Sequence, residues 1–212
     1  MRRTATTANA ILGLLALRRE WPIYELTQQL RRNMRFFWPR AESRIYDEAK
    51  GLVERGLARA KAERTGGRTR TTYAITPAGR RALAEWLKRP PRGTALECEP
   101  ILRVLLAELA PGQVDAAVQQ MRADAHEVLS AGRVVAPEYL ERRAPFQDQV
   151  HVRALVFDFL SHYALMLLEW ADRAEAAANE WPSLSAAERE RRALDSIRRD
   201  FARFPSTEEG RT

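Results

Sequence analysis

Basic side chains are the residues in this chain whose spacing suggests a function in binding. Arg44 and Lys50 lie on one polar stretch, with Ser43 beside Arg44. Arginine and lysine can donate to O6 and N7 of guanine in the DNA major groove, and a serine hydroxyl can bond to several bases. These three residues are therefore candidates for contacts with base edges.

A second basic group follows about twenty residues later. Arg64, Arg68 and Arg70 flank two adjacent glycines, with no compensating acid in the turn between Arg64 and Arg70. Arginines in this arrangement favour contact with phosphates or the minor groove. The alternative is a solvated edge that keeps the protein soluble.

Two tyrosines could assist the basic residues by positioning them on a phosphate backbone. Tyr24 opens a predicted helix, where its hydroxyl could reach a phosphate. Tyr46 lies between the apolar and the polar face of its own predicted helix. For both, the alternative is packing at the edge of the core, with the hydroxyl at the surface.

The inventory for catalysis or metal binding is poor. The chain has three histidines and one cysteine, Cys98. His151 and His162 are eleven positions apart, which places them about 16 Å from each other on a helix, too far to share a metal. We expect no catalytic site, no metal and no cofactor, and hence no enzyme. A single cysteine excludes an internal disulfide framework and favours a cytoplasmic protein.

The base-contacting candidates need a rigid element, and the sequence predicts a helix over residues 41–55. Ile45, Ala49, Leu52 and Val53 fall at positions i, i+4, i+7 and i+8, which gives one buried face, and Gly56 follows as a stop signal. The opposite face is polar. On its own, such a face is more typical of an ordinary solvated helix.

The flanking sequence predicts a specific order of elements. An apolar helix over 7–17 and a second helix from Pro22 to Phe37 precede residues 41–55. Two short strands follow around Gly66-Gly67, and Thr76-Pro77 caps a fourth helix that ends at Lys88. Three helices, a hairpin and a helix form the layout of a winged helix-turn-helix, whose third helix enters the major groove.

The distribution of charge agrees with a polyanionic partner for the first part of the chain. The net charge is +7 overall, but residues 1–92 contain 21 Lys and Arg against 8 Asp and Glu, whereas residues 93–212 contain 14 against 20. Double-stranded DNA is the expected partner of the first part. A membrane is not, because no uninterrupted apolar run approaches the length of a span.

The sequence of the first 90 residues resembles the PadR family of bacterial transcriptional regulators. The shared positions are the segment 11–17 (ILGLLAL), Tyr24-Glu-Leu26, Phe37-Trp38-Pro39, Ile45-Tyr46, Gly56-Leu57, Gly66-Gly67-Arg68, Tyr73 and the segment 75–79 (ITPAG). Departures occur at Pro22-Ile23, Arg44 and Asp47, where the family commonly has Ser-Gly, Gln and Pro. Two of them lie on the predicted reading helix, so the DNA sequence recognised cannot be transferred from a relative.

The second half of the chain is predicted to be helical and to form a homodimer. Helices are expected over 96–109, 114–129 and 146–179, followed by one capped by Ser185. The third of these is too long to be covered by a small domain. The predicted dimer contacts are Leu155, Val156, Phe159, Leu160, Tyr163, Met166, Leu167 and Trp170. The resemblance implies that the first helix joins them, through Leu12 and Leu15. A monomeric helical bundle is the alternative.

Together these patterns predict a mainly α protein with a small β-hairpin. Residues 1–92 would form a DNA-binding winged helix-turn-helix, and residues 93–212 a helical dimerisation and effector domain. The predicted function is a repressor that binds a palindromic operator as a homodimer, at the bacterial nucleoid. The resemblance implies release by a small aromatic or apolar effector. The alternatives are an activator of the same fold and a winged-helix module that binds protein.

Overall fold

A computed structural model of the chain describes residues 6–39, 42–65, 68–110 and 112–205. The chain divides into two compact units, Met1–Ala95 and Leu96–Thr212. The first combines helices with a small sheet, and the described elements of the second are helical. The use of the second unit for dimerisation stays a prediction.

The first helix, α1 (Thr6–Leu17), forms the centre of the N-terminal unit. It contacts α2 (Ile23–Met34), α3 (Glu42–Glu54), strand β3 (Arg68–Ile75) and α4 (Pro77–Leu87). Such a position requires apolar residues on most sides of α1, as the sequence has. Ile11, Leu12 and Leu15 are fully buried within this unit. The prediction that Leu12 and Leu15 form dimer contacts is therefore wrong for this conformation, because neither side chain reaches the surface.

Helices α2 and α3 each bury the apolar stripe that the sequence predicts. Leu26 and Leu30 are buried on α2, and Ile45, Ala49 and Leu52 on α3. Between the two helices, Trp38 Nε1 donates a hydrogen bond to Thr7 Oγ1 at 3.2 Å. This bond ties the connection that precedes α3 back to the start of α1.

The two predicted strands form the predicted antiparallel pair, and a third strand joins them. β2 (Ala58–Thr65) pairs with β3 from Ala58↔Ile75 to Thr65↔Arg68. The Gly66-Gly67 turn lies outside the described residues. On the other edge of β3, β1 (Trp21–Pro22) pairs through Trp21↔Tyr73 and Pro22↔Thr72, which gives the order β1-β3-β2. A strand of two residues shows no alternation of apolar and polar residues, so the sequence did not predict it.

Helix α4 begins at a closely packed joint with the end of α3. Thr76 is its N-cap, as predicted, and its Oγ1 accepts a hydrogen bond from the Gly79 amide at 3.0 Å. The same hydroxyl donates to the Gly56 carbonyl at 2.7 Å. Gly56 has a φ of 69°, a conformation that glycine adopts without strain.

In the C-terminal unit, α5 (Glu99–Leu105) is shorter than the predicted helix over 96–109, because a separate 3-10 turn occupies Ala107–Leu109. α6 (Gln113–Leu140) is longer than predicted and continues past Gly132 and Pro137. Pro137 lies in the last turn, where its missing N–H costs a single backbone hydrogen bond. The predicted end near residue 129 is therefore wrong.

α7 (Val150–Glu180) packs along α6. Val114, Val118 and Ala171 form a buried cluster between them, and Trp170 packs partly buried against it. α8 (Ala186–Phe201) follows and has the predicted cap, since Ser185 Oγ accepts from the Glu188 amide at 3.3 Å. Together these elements form a two-helix hairpin with a shorter helix at each end of the unit.

One segment of this unit, Gln147–Ser183, is long and apolar enough to cross a membrane by length and composition. Only 17% of its most apolar window is buried. Arg153 and Asp158 interrupt its apolar run, so the uninterrupted length considered in the sequence did not reveal it.

Candidate nucleic-acid interface

Helix α3 presents a polar face that consists of both basic and acidic side chains. Arg44, Asp47, Lys50 and Glu54 are exposed, opposite the buried face of the helix. At 100° per residue, Asp47 lies near the centre of this face, with Arg44 and Lys50 about 60° to either side. Two donors thus flank one acceptor. Such a face can distinguish base pairs by their pattern of donors and acceptors.

Arg55, at the end of α3, contacts the helix itself. Its Nε donates to the Gly51 carbonyl at 2.9 Å, and its Nη2 lies 3.8 Å from Glu48 Oε2. A cation in this position satisfies one of the last carbonyls of the helix. Arg44 and Lys50 are therefore better placed than Arg55 to contact an external partner.

The two candidate tyrosines differ in exposure. Tyr24 is exposed, and its hydroxyl accepts a hydrogen bond from Gln28 Nε2 at 2.7 Å. Tyr46 is half-buried near Tyr73, whose pKa is raised by burial and by the proximity of Tyr46. Tyr24 thus offers its hydroxyl at the start of α2, whereas Tyr46 lies between α3 and the sheet.

Of the three predicted hairpin arginines, Arg70 is the one whose side chain is described. It is exposed, and its Nη2 donates to Glu25 Oε1 on α2 at 2.5 Å. The folded protein thus supplies a compensating acid for Arg70 from α2, outside the hairpin, and the contact of Arg70 with a phosphate stays a prediction. The side chains of Ser43, Arg64 and Arg68 lie outside the described part of the structure, so their roles stay predictions.

Other ion pairs connect α1, α2 and the sheet. Glu25 Oε2 also accepts from Arg18 Nη1 at 3.0 Å, and the Arg18 guanidinium lies 5.0 Å from the centre of the Trp21 ring. On β2, Arg59 Nη2 lies 3.6 Å from Glu20 Oε1. Glu20, between α1 and α2, and Glu25, on α2, thus each pair with an arginine on one strand of the hairpin.

The arrangement of a helix with an exposed polar face beside a basic hairpin agrees with a match in sequence. A profile of the "Transcriptional regulator PadR-like family" matches residues 11–85. These residues contain α3, the three strands and most of α4. The N-terminal unit is therefore similar to the PadR-like family over these residues. Its members are transcriptional regulators, which is a different class of protein from an enzyme.

Solved structures with the same fold extend beyond the PadR-like unit. Bacillus subtilis PadR in complex with operator DNA has 21% identity and a TM-score of 0.63, over 81% of this chain and 98% of that one. The same protein in complex with p-coumaric acid has 20% identity and a TM-score of 0.61, over 83% of this chain and 100% of that one. The Vibrio cholerae virulence activator AphA has 19% identity and a TM-score of 0.60, over 83% of this chain and 99% of that one. At these identities the likeness shows a common winged-helix fold. A search of curated protein sequences found no match.

Outside the PadR-like unit, the predicted dimer contacts divide by burial. Leu155, Val156, Phe159 and Met166 are exposed, with Leu155 at 71% and Phe159 at 60%. Leu160, Tyr163 and Trp170 are half-buried. Leu167 is 3% exposed, so its prediction as a dimer contact is wrong, because it belongs to the core of its own unit.

The described residues contain no group of three or more His, Cys, Asp and Glu side chains that could hold a metal ion. Cys98 Sγ lies 3.8 Å from Met121 Sδ in partly buried surroundings. The sequence predicted a linker residue here, and the structure places Cys98 immediately before α5.

Sequence reasoning missed that Glu25 pairs with the candidate residue Arg70 and with Arg18. Glu25 and Arg70 are 45 positions apart, and no motif joins them. The one available signal was the PadR-like segment Tyr24-Glu-Leu26, in which the acid follows the candidate tyrosine.

Proposed function

We propose that the protein is a homodimeric transcriptional repressor that occupies a palindromic operator. The observation that carries this proposal is the exposed face of α3, with Arg44 and Lys50 flanking Asp47, on a PadR-like unit rich in arginine. In a winged helix-turn-helix, this helix enters the major groove and the hairpin contacts the backbone or the minor groove. Such a repressor acts in the cytoplasm, at the nucleoid.

The individual roles follow from chemistry and exposure. Arg44 and Lys50 donate to guanine, and Asp47 accepts from the amino group of cytosine. Arg64, Arg68 and Arg70 contact phosphates or the minor groove, and Ser43 contacts a base edge beside Arg44. Tyr24 and Tyr46 position α3 on the backbone.

Two-fold symmetry provides the second reading helix. A palindromic site presents equivalent half-sites about 34–36 Å apart when they are one helical turn from each other. The exposed apolar residues of α7 supply a surface that a second copy can cover, and a two-fold dimer uses the same surface on both subunits.

Release by a small aromatic or apolar effector completes the proposal. Its support is the p-coumaric acid complex of Bacillus subtilis PadR, which has the same fold. Activation is the second candidate function, because Vibrio cholerae AphA, also of this fold, is a virulence activator. A promoter–reporter assay with and without the gene for this protein distinguishes repression from activation.

The test is a gel-shift titration with DNA from upstream of the protein's own gene, at several salt concentrations. We expect a retarded complex whose affinity falls steeply with salt, with a slope near 0.9 for each phosphate contact. A phenolic acid should release the DNA. An affinity that does not change with salt concentration, or that is the same for this fragment and a scrambled one, would contradict the proposal.

Arg44→Ala probes the reading helix. Because Arg44 is proposed to contact a base, we expect loss of discrimination at one position of each half-site, about 1–3 kcal/mol per contact. Arg68→Ala is the comparison: as a phosphate contact it should weaken all sequences alike and reduce the salt slope by about one. Selection from a randomised DNA pool reads out both effects. If the two variants select the same bases, α3 does not read the operator through Arg44.

A further inference from the structure

Glu25, at the start of α2, holds two arginines from different elements. Its Oε1 accepts from Arg70 Nη2 at 2.5 Å and its Oε2 from Arg18 Nη1 at 3.0 Å. Each carboxylate oxygen thus serves one guanidinium. Arg18 follows the end of α1, and Arg70 belongs to the hairpin.

The two-residue strand β1 brings these groups together. Pro22 pairs with Thr72 in an antiparallel register. Residues after Pro22 therefore run alongside residues before Thr72, and Glu25 reaches Arg70. On its other side, Arg18 is held over the ring of Trp21, which is buried and donates from Nε1 to the Leu14 carbonyl at 2.9 Å. Glu25 thus joins a fixed part of the core to the hairpin.

The three charged groups are accessible to an external anion. The side chains of Arg18 and Arg70 are 54% and 56% exposed, and that of Glu25 is 36% exposed. A guanidinium has five N–H donors, and each arginine uses one of them on Glu25 in these bonds. Both arginines therefore retain donors for a phosphate, but the negative Glu25 carboxylate beside them weakens their attraction for it.

We propose that Glu25 is a specificity-determining residue for DNA, acting by positioning and neutralising Arg70 and Arg18. The inference rests on the proposed function. Binding to any DNA depends on how many phosphates a protein neutralises, whereas operator binding also depends on register and base contacts. The Glu25 carboxylate lowers the contribution from phosphate neutralisation, because it cancels part of the positive charge. By fixing the direction of Arg70, it preserves the contribution from register and base contacts. The ratio of the affinity for operator to the affinity for other DNA therefore rises.

The test replaces Glu25 by glutamine, which keeps the size of the side chain and removes its charge. Fluorescence anisotropy is measured over a salt series with the operator fragment and with a scrambled fragment of equal length. For E25Q we expect roughly 2- to 5-fold tighter binding to scrambled DNA, in proportion to an exposed ion pair, and a salt slope steeper by about one. Operator affinity should stay unchanged or fall, so the specificity ratio decreases.

Glu85→Gln is the matched control. Glu85 is an exposed acid of the same unit, and its partner is Lys88 at 2.8 Å on its own side of α4. The two variants have the same net charge, so a shared response would reflect charge alone. A second comparison places Glu25→Gln in an Arg70→Gln background, where most of its effect on scrambled DNA should disappear. Circular dichroism and the melting temperature confirm that each variant is folded.

The outcomes separate this inference from the proposed function. If the wild-type protein binds neither fragment in a salt-dependent manner, the proposed function fails. If the wild type distinguishes the two fragments but E25Q behaves as E85Q does, Glu25 has no role in specificity and the inference is overturned. Persistence of the full E25Q effect in the Arg70→Gln background would also overturn it.

Discussion

At the scale of single residues, the joint around Thr76 sets the distance between the hairpin and α4. The Thr76 hydroxyl contacts Gly56 on one side and the Gly79 amide on the other, and the Thr76 amide donates to the Leu57 carbonyl at 3.1 Å. The backbone after α3 and the first turn of α4 are thereby in direct contact. A side chain on Gly79 has no space between them.

Gly79→Ala should destabilise the N-terminal unit. A Cβ at this position would lie 2.0 Å from the Leu57 carbonyl oxygen, a backbone atom that moves only with the chain. We expect a loss of at least about 1–3 kcal/mol in the free energy of unfolding, typical of overpacking. Urea unfolding measures it.

Gly13→Ala is the control for this substitution. Gly13 lies within α1, and a Cβ there would meet nothing within 4 Å. Alanine has the higher helix propensity, so stability should rise by up to about 1 kcal/mol. Equal stability of Gly79→Ala and the wild type would show that α4 can shift away from Leu57 without cost.

At the scale of elements, a network of charges connects α6 to α7. Arg122 on α6 donates from Nη2 to Asp172 Oδ1 at 2.7 Å and to Glu175 Oε2 at 2.8 Å, and from Nη1 to Glu175 Oε1 at 3.0 Å. The bidentate pair with Glu175 fixes the alignment of the two helices as well as their distance. The hydrogen bond from Arg122 holds the pKa of Glu175 below its ordinary value.

This lowered pKa gives a testable dependence on pH. Because the folded-state pKa of Glu175 is below the unfolded one, its stabilising contribution is present above the unfolded pKa and is lost as pH falls through the folded one. The wild-type protein should therefore have a higher melting temperature than Glu175→Gln at pH 7, and this difference in melting temperature should vanish in acid. Thermal unfolding from pH 7 to pH 3 checks this. Glu169→Gln, which affects a pair within α7, is the control. A difference that is constant with pH would contradict the role of the Arg122 bond.

Some elements of the fold could be predicted from the sequence, and others could not. Helices with one apolar stripe, such as α2 and α3, were predicted because burial on one side imposes helical spacing on the sequence. The caps at Thr76 and Ser185 were predicted because a cap is a local hydrogen bond. β1 and the pairing of Glu25 with Arg70 were not predicted, since both depend on contact between segments about 45 to 50 positions apart. The end of α6 was misplaced because packing against α7 outweighs the local preference of Gly132 and Pro137.

At the scale of the whole molecule, the two halves have opposite charge and different surfaces. The basic residues 1–92 contrast with a C-terminal half that has an excess of acids. In that half, α7 exposes large apolar side chains, with Leu155 and Phe159 among the most exposed. Contiguous exposed apolar surface is typical of sites that bind a partner. In the proposed repressor that partner is a second copy.

Phe159→Glu should weaken the proposed dimer. Burial of a phenylalanine contributes about 1.5–3 kcal/mol, and a charge in its place adds a desolvation cost. We expect the dimer dissociation constant to rise at least about 10-fold in sedimentation experiments. Binding to a full operator should fall more than binding to a single half-site.

His151→Glu is the control for Phe159→Glu, since it introduces the same charge at an exposed polar position in the first turn of α7. An acid near a helix N-terminus is favourable, so the dimer should persist. A wild-type protein that is monomeric, or that requires detergent for extraction from membranes, would contradict a second copy as the cover of α7.

The two-residue strand β1 also determines where the chain tolerates insertions and deletions. The register Trp21↔Tyr73, the bond from Trp21 to Leu14 and the contact of Arg18 with Trp21 fix the path between α1 and α2. Removal or addition of one residue there would turn Trp21 out of the core and separate Glu25 from Arg70. Residues 90–98 are in neither helix nor strand before α5 starts at Glu99, and most of them are exposed. Differences in length among natural relatives should therefore accumulate in residues 90–98 and be absent between residues 17 and 23.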